Sequence, residues 1–576
     1  MHRLFCLVLI VLSLPTLAAE RPNVILIITD DQGYGDVGAH GNTILKTPNL
    51  DKLHIESIRL TDYHTDPTCS PTRAALLTGR YSTRTTVWHT INGRSLLPTE
   101  ELTLAEVFKS NDYRTAMFGK WHLGDNAPLR PMDQGFDHVV WHKGGGVSQG
   151  PDYLGNDYFD DIYEVNGVSQ QFKGYCTDIW FDQAKQFIEK QDDKPFFIYL
   201  STNAAHGPWI VEEKYSQPYV DKGIPKGAAN FYGMIENLDE NVGGLRAFLK
   251  EQGLDKDTLV IYTSDNGSAV KDSMRRDKVK FDYFNAGLRY TKGSHYDGGH
   301  RVPFFMHWPG GEIAGGKDVD TLCAHFDIMP TLVDLLQLDK PEGPQLDGFS
   351  LVPVLNGEAD AIPERTLFTA LQRKYIPPKW VKSVAMTQRW RLIDGEALYD
   401  ITTDRGQQVD VAAEHPEVVA KLREDYEAWW QDMQPHFELI TRIDLGGVEN
   451  PTTLMSHDWL MKEGISALAQ IHVNRNVLFN GPFAVNVVKA GKYRITPMRW
   501  PEYVDKPSGC KQVDVVVEGK NVRAKRNWEV DPTKPVEAQV IELPTGPALL
   551  TSTLTREDGK TFGAYYVKIE FLNEDQ

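Results

Sequence analysis

Cysteine is scarce in this 576-residue chain, with five in all, at Cys6, Cys69, Cys176, Cys323 and Cys510. No two form a C-x-x-C pair, which excludes a zinc ribbon or a dithiol redox motif, and the wide spacing gives no disulfide framework. One disulfide among Cys176, Cys323 and Cys510 stays open. Long apolar runs are also missing. The run from Leu4 to Leu14 is too short to cross a bilayer as a permanent helix, and no other stretch is long enough. Positive charge is in deficit. The 61 Lys and Arg against 79 Asp and Glu leave a net charge of −18, which argues against nucleic acid as a partner. An anionic substrate must therefore be met by a local cluster of cations, against the global field.

What is present is the composition of a folded protein, 41% apolar and 10% aromatic, at a length that implies two or three domains. The N-terminus has a basic start at Met1-His2-Arg3, a short apolar run, and small residues at Ala18-Ala19. That is the grammar of a secretory signal peptide over 1–19, and it implies a periplasmic or secreted protein.

Asn23 to Ile28 is a continuous apolar, β-branched run, as expected of a strand buried on both faces of a parallel sheet. It ends abruptly at Asp30-Asp31. The same grammar recurs where Arg114–Phe118 runs into Gly119-Lys120-Trp121-His122, where Pro195–Leu200 runs into Asn203 and His206, and where Thr258–Tyr262 runs into Asp265-Asn266. Between them lie amphipathic segments, Asp178 to Lys190 and Met234 to Glu251. The alternation predicts an α/β domain on a largely parallel sheet, whose ligands bind at the carboxyl ends of the strands. Two adjacent carboxylates after a buried strand are costly unless solvated or holding a cation. Asp30, Asp31, Asp265 and Asn266 offer four oxygen-bearing side chains, a set that favours Ca²⁺ or Mg²⁺ over zinc.

Near residue 365 the pattern changes to short antiparallel strands (Thr366–Ala370, Trp390–Ile393) and an amphipathic helix from Pro416 to Trp430. From about 445 on, short alternating strands predict a β-sandwich or a sheet packed on the main body. Hairpins are expected from Ala484 to Ile495 through Lys489-Ala490-Gly491, and from Leu549 to Phe571 through Asp558-Gly559. The expected division is 20–365, 366–440 and 445–576. The last region shows no chemical motif and reads as a structural appendage, with glycan binding as the alternative.

One stretch remains: Cys69-Ser70-Pro71-Thr72-Arg73, then Ala74-Ala75-Leu76-Leu77-Thr78-Gly79-Arg80. Pro71 suits the first helical position, with Ser70 as N-cap, which leaves Cys69 just ahead of a helix start as a polarised thiol. The stretch resembles the C-x-P-x-R…L-T-G-R signature of the formylglycine-dependent (type I) sulfatases, an arylsulfatase-like family of the alkaline phosphatase superfamily. The resemblance implies an alkaline-phosphatase-like mixed, largely parallel sheet flanked by helices, a small antiparallel C-terminal subdomain and here an additional β-rich C-terminal region. It implies that Cys69 is oxidised to 3-oxoalanine (formylglycine) by a formylglycine-generating or anaerobic sulfatase-maturating enzyme, and that the hydrated aldehyde attacks sulfur. It also implies Asp30, Asp31, Asp265, Asn266 and the oxygen at position 69 as ligands of Ca²⁺ in preference to Mg²⁺. Arg73, Lys120, His122, His206 and Lys292 match the remaining site residues. Asp297 stands where many members carry Glu and reads as a loop-shaping residue. His89, Arg94, His142, Lys143 and Trp209, with Trp88, are candidates for binding a sulfated carbohydrate. The rival readings are a formylglycine-dependent phosphodiester or phosphonate hydrolase and a secreted, non-catalytic glycan-binding protein.

Overall fold

The computed structural model describes residues 21–190, 193–276, 281–358 and 362–573. The expected signal peptide, 1–19, lies outside the described residues. No helix among the described residues is long and apolar enough to cross a membrane.

The frame is a ten-stranded sheet. Its strands are β1 (Asn23–Thr29), β2 (Ile58–Leu60), β3 (Arg114–Lys120), β4 (His138–His142), β5 (Ile162–Val165), β6 (Val168–Gln171), β7 (Phe196–Ser201), β8 (Thr258–Ser264), β9 (Phe304–His307) and β10 (Asp318–Val319). They lie in the order β10-β2-β9-β8-β1-β7-β3-β4-β5-β6. The inner strands β8, β1, β7, β3 and β4 are mutually parallel, and antiparallel pairing begins at β9 and β5. This is the expected largely parallel sheet, with antiparallel edges added.

Alternation along β1 explains why the run had to be apolar throughout. Val24, Leu26 and Ile28 pack with Leu76 and Leu77 of helix α1 (Cys69–Thr78) on one face. Ile25 and Ile27 pack with Trp180 of α2 (Cys176–Glu189) and Leu238 of α3 (Lys226–Glu251) on the other. Both faces of the strand are thus covered by helix, as a parallel sheet requires. Helix α1 starts earlier than its sequence indicates. Thr68 is the N-cap, and Cys69 is already the first helical residue. The Thr72 amide closes the first turn onto the Thr68 carbonyl. Pro71 is tolerated at the third position because amides of the first turn have no partner within the helix.

A four-stranded antiparallel sheet follows, made of β11 (Leu367–Ala370), β12 (Ser383–Met386), β13 (Trp390–Ile393) and β14 (Ala397–Asp400), with α4 (Pro416–Met433) packed on it. The rest of the chain forms a two-sheet sandwich. One sheet holds β15 (Ile443–Leu445), β17 (Phe483–Val487), β19 (Cys510–Glu518), β20 (Arg523–Glu529), β22 (Gly546–Arg556) and β23 (Thr561–Gly563). The other holds β16 (Thr452–Met455), β18 (Gly491–Met498), β21 (Gln539–Leu543) and β24 (Tyr566–Phe571).

Here the hairpin expectations fail in an instructive way. β17 and β18 do not pair; Lys489-Ala490-Gly491 carries the chain from one sheet to the other. Val485 and Val487 meet Tyr493 and Ile495 through side chains in one core. A period-two pattern is satisfied equally by pairing edge to edge or stacking face to face. The Asp558-Gly559 turn does close a hairpin, but only as far as β23, and β24 then crosses to the second sheet. The four described cysteines are buried and free, so no disulfide joins Cys176, Cys323 and Cys510.

The small sheet is tied to the main body by Arg391 on β13. Its guanidinium meets Asp62 at 3.0 Å and Asp297 at 3.2 Å, and Arg301 adds a contact to Asp62 at 3.2 Å. Asp297 is therefore not a loop-shaping residue. It is wholly buried and opens a short helix, Asp297–His300. Burial raises the Asp62 and Asp297 carboxyls, but Arg391 and its neighbours outweigh burial and hold both below the ordinary range. Arg391→Ala should cost about 3–5 kcal/mol of unfolding free energy at pH 7, measured in urea, because it strands buried charge. A carboxyl depressed by folding contributes stability above its unfolded value, near 3.9, and loses it as pH falls through its folded value. The gap between parent and variant should therefore narrow as the pH drops below about 4.

Candidate active site

β1 and β8 run side by side with Thr29 opposite Ser264. Register alone therefore delivers the next residues of both strands, Asp30-Asp31 and Asp265-Asn266, to one place. The Asp31 amide donates to Asp265 Oδ1 at 3.1 Å, and Asn266 Nδ2 donates to Asp31 Oδ1 at 2.9 Å. Asp31 holds this position with a left-handed backbone, φ 68°, uncommon for a residue with a side chain.

Cations arrive from three other elements. Arg73, one turn into α1, donates through Nη2 and Nε to Asp265 Oδ2 at 2.7 and 3.2 Å, and through Nη1 to Ser201 Oγ. Lys120, the last residue of β3, pairs with Asp30 at 2.7 Å. Lys292 pairs with Asp31 at 2.5 Å and lies 3.7 Å from Cys69 Sγ. Cys69 Sγ lies in turn 3.7 Å from Asp30 Oδ1. Three carboxylates thus face three cations around one sulfur, in a region that water barely reaches.

The electrostatics are those of a crowded, dry cluster. Burial raises the Asp31 carboxyl, but Lys292 and His206 outweigh it and hold the group well below the usual range. Arg73 and Lys120 do the same for Asp265. Asp30 goes the other way, raised by burial and by Asp265. Burial pushes the Cys69 thiol up to about 12, although Lys120 and Lys292 draw it down. The thiol is therefore not the polarised group that a helix start would make it, since burial, with Asp265 and Asp30, outweighs the neighbouring lysines.

His206 follows β7, and its Nδ1 bonds the Gly207 carbonyl at 2.6 Å. Burial lowers this ring to about 3, with Asp31 opposing. His122 also has positive φ, 60°. Its Nε2 donates to the Thr90 carbonyl at 2.8 Å, and its buried Nδ1 has no partner. Burial, then Lys120 and His457, push this ring well below the usual histidine value. Both rings lie on the Gly144-Gly145-Gly146 turn. A Cβ at Gly145 would stand 2.2 Å from the His122 ring, and one at Gly146 would stand 3.0 Å from that of His206.

The residues expected to bind a glycan are mostly engaged elsewhere. Arg94 is buried over the Trp88 ring and donates to the Leu439 and Phe437 carbonyls. It clamps the segment after α4 rather than offering a free cation. His142 is held through both ring nitrogens, by Asn203 at 2.6 Å and the Lys143 carbonyl at 2.9 Å. Lys143 pairs with Glu164 at 2.9 Å. His89 Nδ1 accepts from the amides of Thr90 and Ile91. Trp209 stays half-buried next to His206, its indole N–H bonded to the Ala205 carbonyl. Loop positions near a site say nothing of which way a long side chain turns. Conversely, sequence reasoning gave no role to Asp125, His457 and Asp458, which cluster beside His122. Ser456-His457-Asp458 has no motif, and only its fold position reveals it.

The donor set fits a hard cation. One ligand atom from each of Asp30, Asp31, Cys69 and Asp265 lies within 4.8 Å of the others, and Asn266 Oδ1 is buried among them without a hydrogen-bond partner. An unpaired amide oxygen next to three carboxylates is what an oxygen-ligated cation would satisfy.

Comparison with known proteins agrees with this geometry. The sulfatase family profile matches residues 22–338. Human arylsulfatase A is 32% identical over 390 residues, which cover 62% of this chain and 72% of that protein. Mouse N-acetylgalactosamine-6-sulfatase is 29% identical over 375 residues, covering 61% and 69%. The crystal structure of Ps i-CgsB in complex with k-i-k-neocarrahexaose superposes with a TM-score of 0.65 at 27% identity, covering 73% of this chain and 95% of that one. A parallel sheet ending in Asp30-Asp31 and Asp265-Asn266, with Cys69-x-Pro71-x-Arg73 opening the helix beside it, belongs to a hydrolase of sulfate esters, and the chain is a member of the sulfatase family.

Proposed function

We propose that this sulfatase removes sulfate from an extracellular sulfated glycan, with formylglycine derived from Cys69 as the nucleophile and Ca²⁺ held by Asp30, Asp31, Asp265 and Asn266. The observation that carries this reading is the convergence of the three carboxylates on Cys69, with Asn266 bonded to Asp31 and its Oδ1 left unpaired. Formylglycine would supply a hydrated aldehyde oxygen, which can release sulfate after attack where a plain hydroxyl cannot. The cation would supply positive charge beside a sulfate oxygen without a proton to manage.

The chain's own residues divide the remaining work. Arg73 and Lys120 neutralise Asp265 and Asp30 and fix their orientation. Lys292, against both Asp31 and Cys69, is placed to stabilise charge on the sulfuryl oxygens. His206 has Nδ1 tied to Gly207 and rests neutral, so its Nε2 must first take up a proton before it can pass one to the leaving alcohol. His122 has its proton committed on Nε2 and a free lone pair on Nδ1, the arrangement of a base that takes a proton from the position-69 hydroxyl. A glycan substrate is supported by relatives whose names or ligands are carbohydrates. Export to the periplasm or outside, maturation by a formylglycine-generating or anaerobic maturating enzyme, and the division at 365 and 445 rest on the sequence.

An aryl sulfate assay on enzyme coexpressed with a maturase tests the core of the proposal. Mass spectrometry should find the aldehyde at position 69. Cys69→Ala should lose at least about 1,000-fold in kcat, and Cys69→Ser should stop after one turnover. Full multiple turnover by Cys69→Ser would sink the proposal. Chelation with EGTA should abolish activity and lower the melting temperature by several degrees, with Ca²⁺ restoring both better than Mg²⁺. Gly145→Ala should reduce kcat roughly 10- to 100-fold while shifting the melting temperature little, because its Cβ displaces the His122 ring.

A further inference from the structure

A second buried polar group joins the C-terminal sandwich to the site. The short turn Ser456–Asp458 follows β16 and places His457 against His122, ring centroids 5.7 Å apart. Both residues, and Asp458, are at least 96% buried, at relative exposures of 2%, 4% and 4%. His457 Nδ1 bonds Asp458 Oδ1 at 2.9 Å, which leaves Nε2, and that atom has no partner. His122 likewise has one committed nitrogen and one without a partner. Asp125 lies on the same side, its carboxyl bound by the Gly144 amide at 2.9 Å.

The placement is held firmly. Ser456 is bonded through its amide to the Tyr565 carbonyl and through Oγ to the Ala467 carbonyl, both at 2.8 Å. Asn92 Oδ1 accepts from the Ser466 amide and hydroxyl at 2.9 and 2.8 Å. The Gly150 amide donates to the Leu468 carbonyl at 2.8 Å. Residues 456–470 are thereby stitched to the loops that frame His122.

We propose that His457 is a positioning residue of the sulfatase reaction: lent by the C-terminal region and oriented by Asp458, it stands as an imidazolium beside His122 and keeps the Nδ1 lone pair of that ring free. The inference rests on the reading of His122 as the base. Asp458 selects the form of His457 with a proton on Nδ1, and its carboxylate favours a second proton on Nε2. A fixed positive charge against His122, added to those of Lys120 and Arg73, disfavours protonating it. The directions agree. Burial lowers His457, but Asp458 and Asp125 outweigh it and raise the group, with Lys120 opposing. Asp125 is itself raised to about 7 by burial and Asp458, with His457 and Lys143 opposing. His89 also feels His457.

The test is the pH profile of kcat for the full-length, matured enzyme on an aryl sulfate. The acid limb of the His457→Gln profile should lie at least about half a pH unit above that of the parent, because one of the positive charges that depress His122 is removed while burial and Lys120 still act. KM should change less than about threefold, since no substrate contact is removed. A uniform loss at every pH, as a purely structural role would give, overturns the proposal, and so does an unchanged profile. Should His457→Gln fail to fold, nitrogen-15 spectra of the parent's histidines decide at pH 6. An imidazolium at His457 with neutral, Nε2-protonated His122 supports the proposal, and a neutral His457 overturns it. A matured parent with no turnover of any sulfate ester would refute the sulfatase mechanism instead, a result separate from the histidine spectra.

Discussion

Three carboxylates out of reach of water are the constraint on which the structure turns. Burying an ion costs several kcal/mol unless a well-placed partner offsets it. Asp30, Asp31 and Asp265 are therefore stable only while Lys120, Lys292 and Arg73 stay in contact with them. Those partners come from β3, from the loop before Asp297 and from α1. The strand ends, the seat of α1 and the path of that loop are thereby tied to one another by a few ion pairs. A chain of net charge −18 nevertheless concentrates three cations here.

The site was legible because its grammar is local. A fully buried strand must be apolar throughout, so charge immediately after it announces a strand end, and parallel strands bring their ends together. Asp30, Lys120, His206 and Asp265 could be read in this way before any partner was known. The start of α1 was less legible, because a proline marks the first turn without fixing which residue of it. The sandwich was legible as strands and illegible as pairings, since β17 and β18 satisfy the same alternation whether they pair or stack. The partners of Arg94 and His142 were illegible for another reason. Both residue types suit an anionic ligand, yet their bonds go to Phe437, Leu439, Asn203 and Lys143, choices that no spacing encodes.

Asp297 and His457 show the limit of reading residues one at a time. Asp297 looked like a conservative departure within a glycine-rich loop. Its importance comes from Arg391, which is far away in sequence and on another sheet. His457 lies in a region without motifs, and its neighbour His122 was already accounted for. In both cases the function of the residue belongs to a contact between separately folded layers, and only the tertiary structure contains that information.

The stitching of 456–470 onto the loops at Asn92 and Gly150 bears on how such chains diversify. An appendage joined by a tether alone can be exchanged between relatives as a cassette. This one shares its polar surface with the loops bearing His122, so the two halves are constrained to drift together. Grafting the sandwich onto another core, or deleting it, alters the environment of a residue inside the pocket. Modularity in this architecture ends where the second sheet meets the rim.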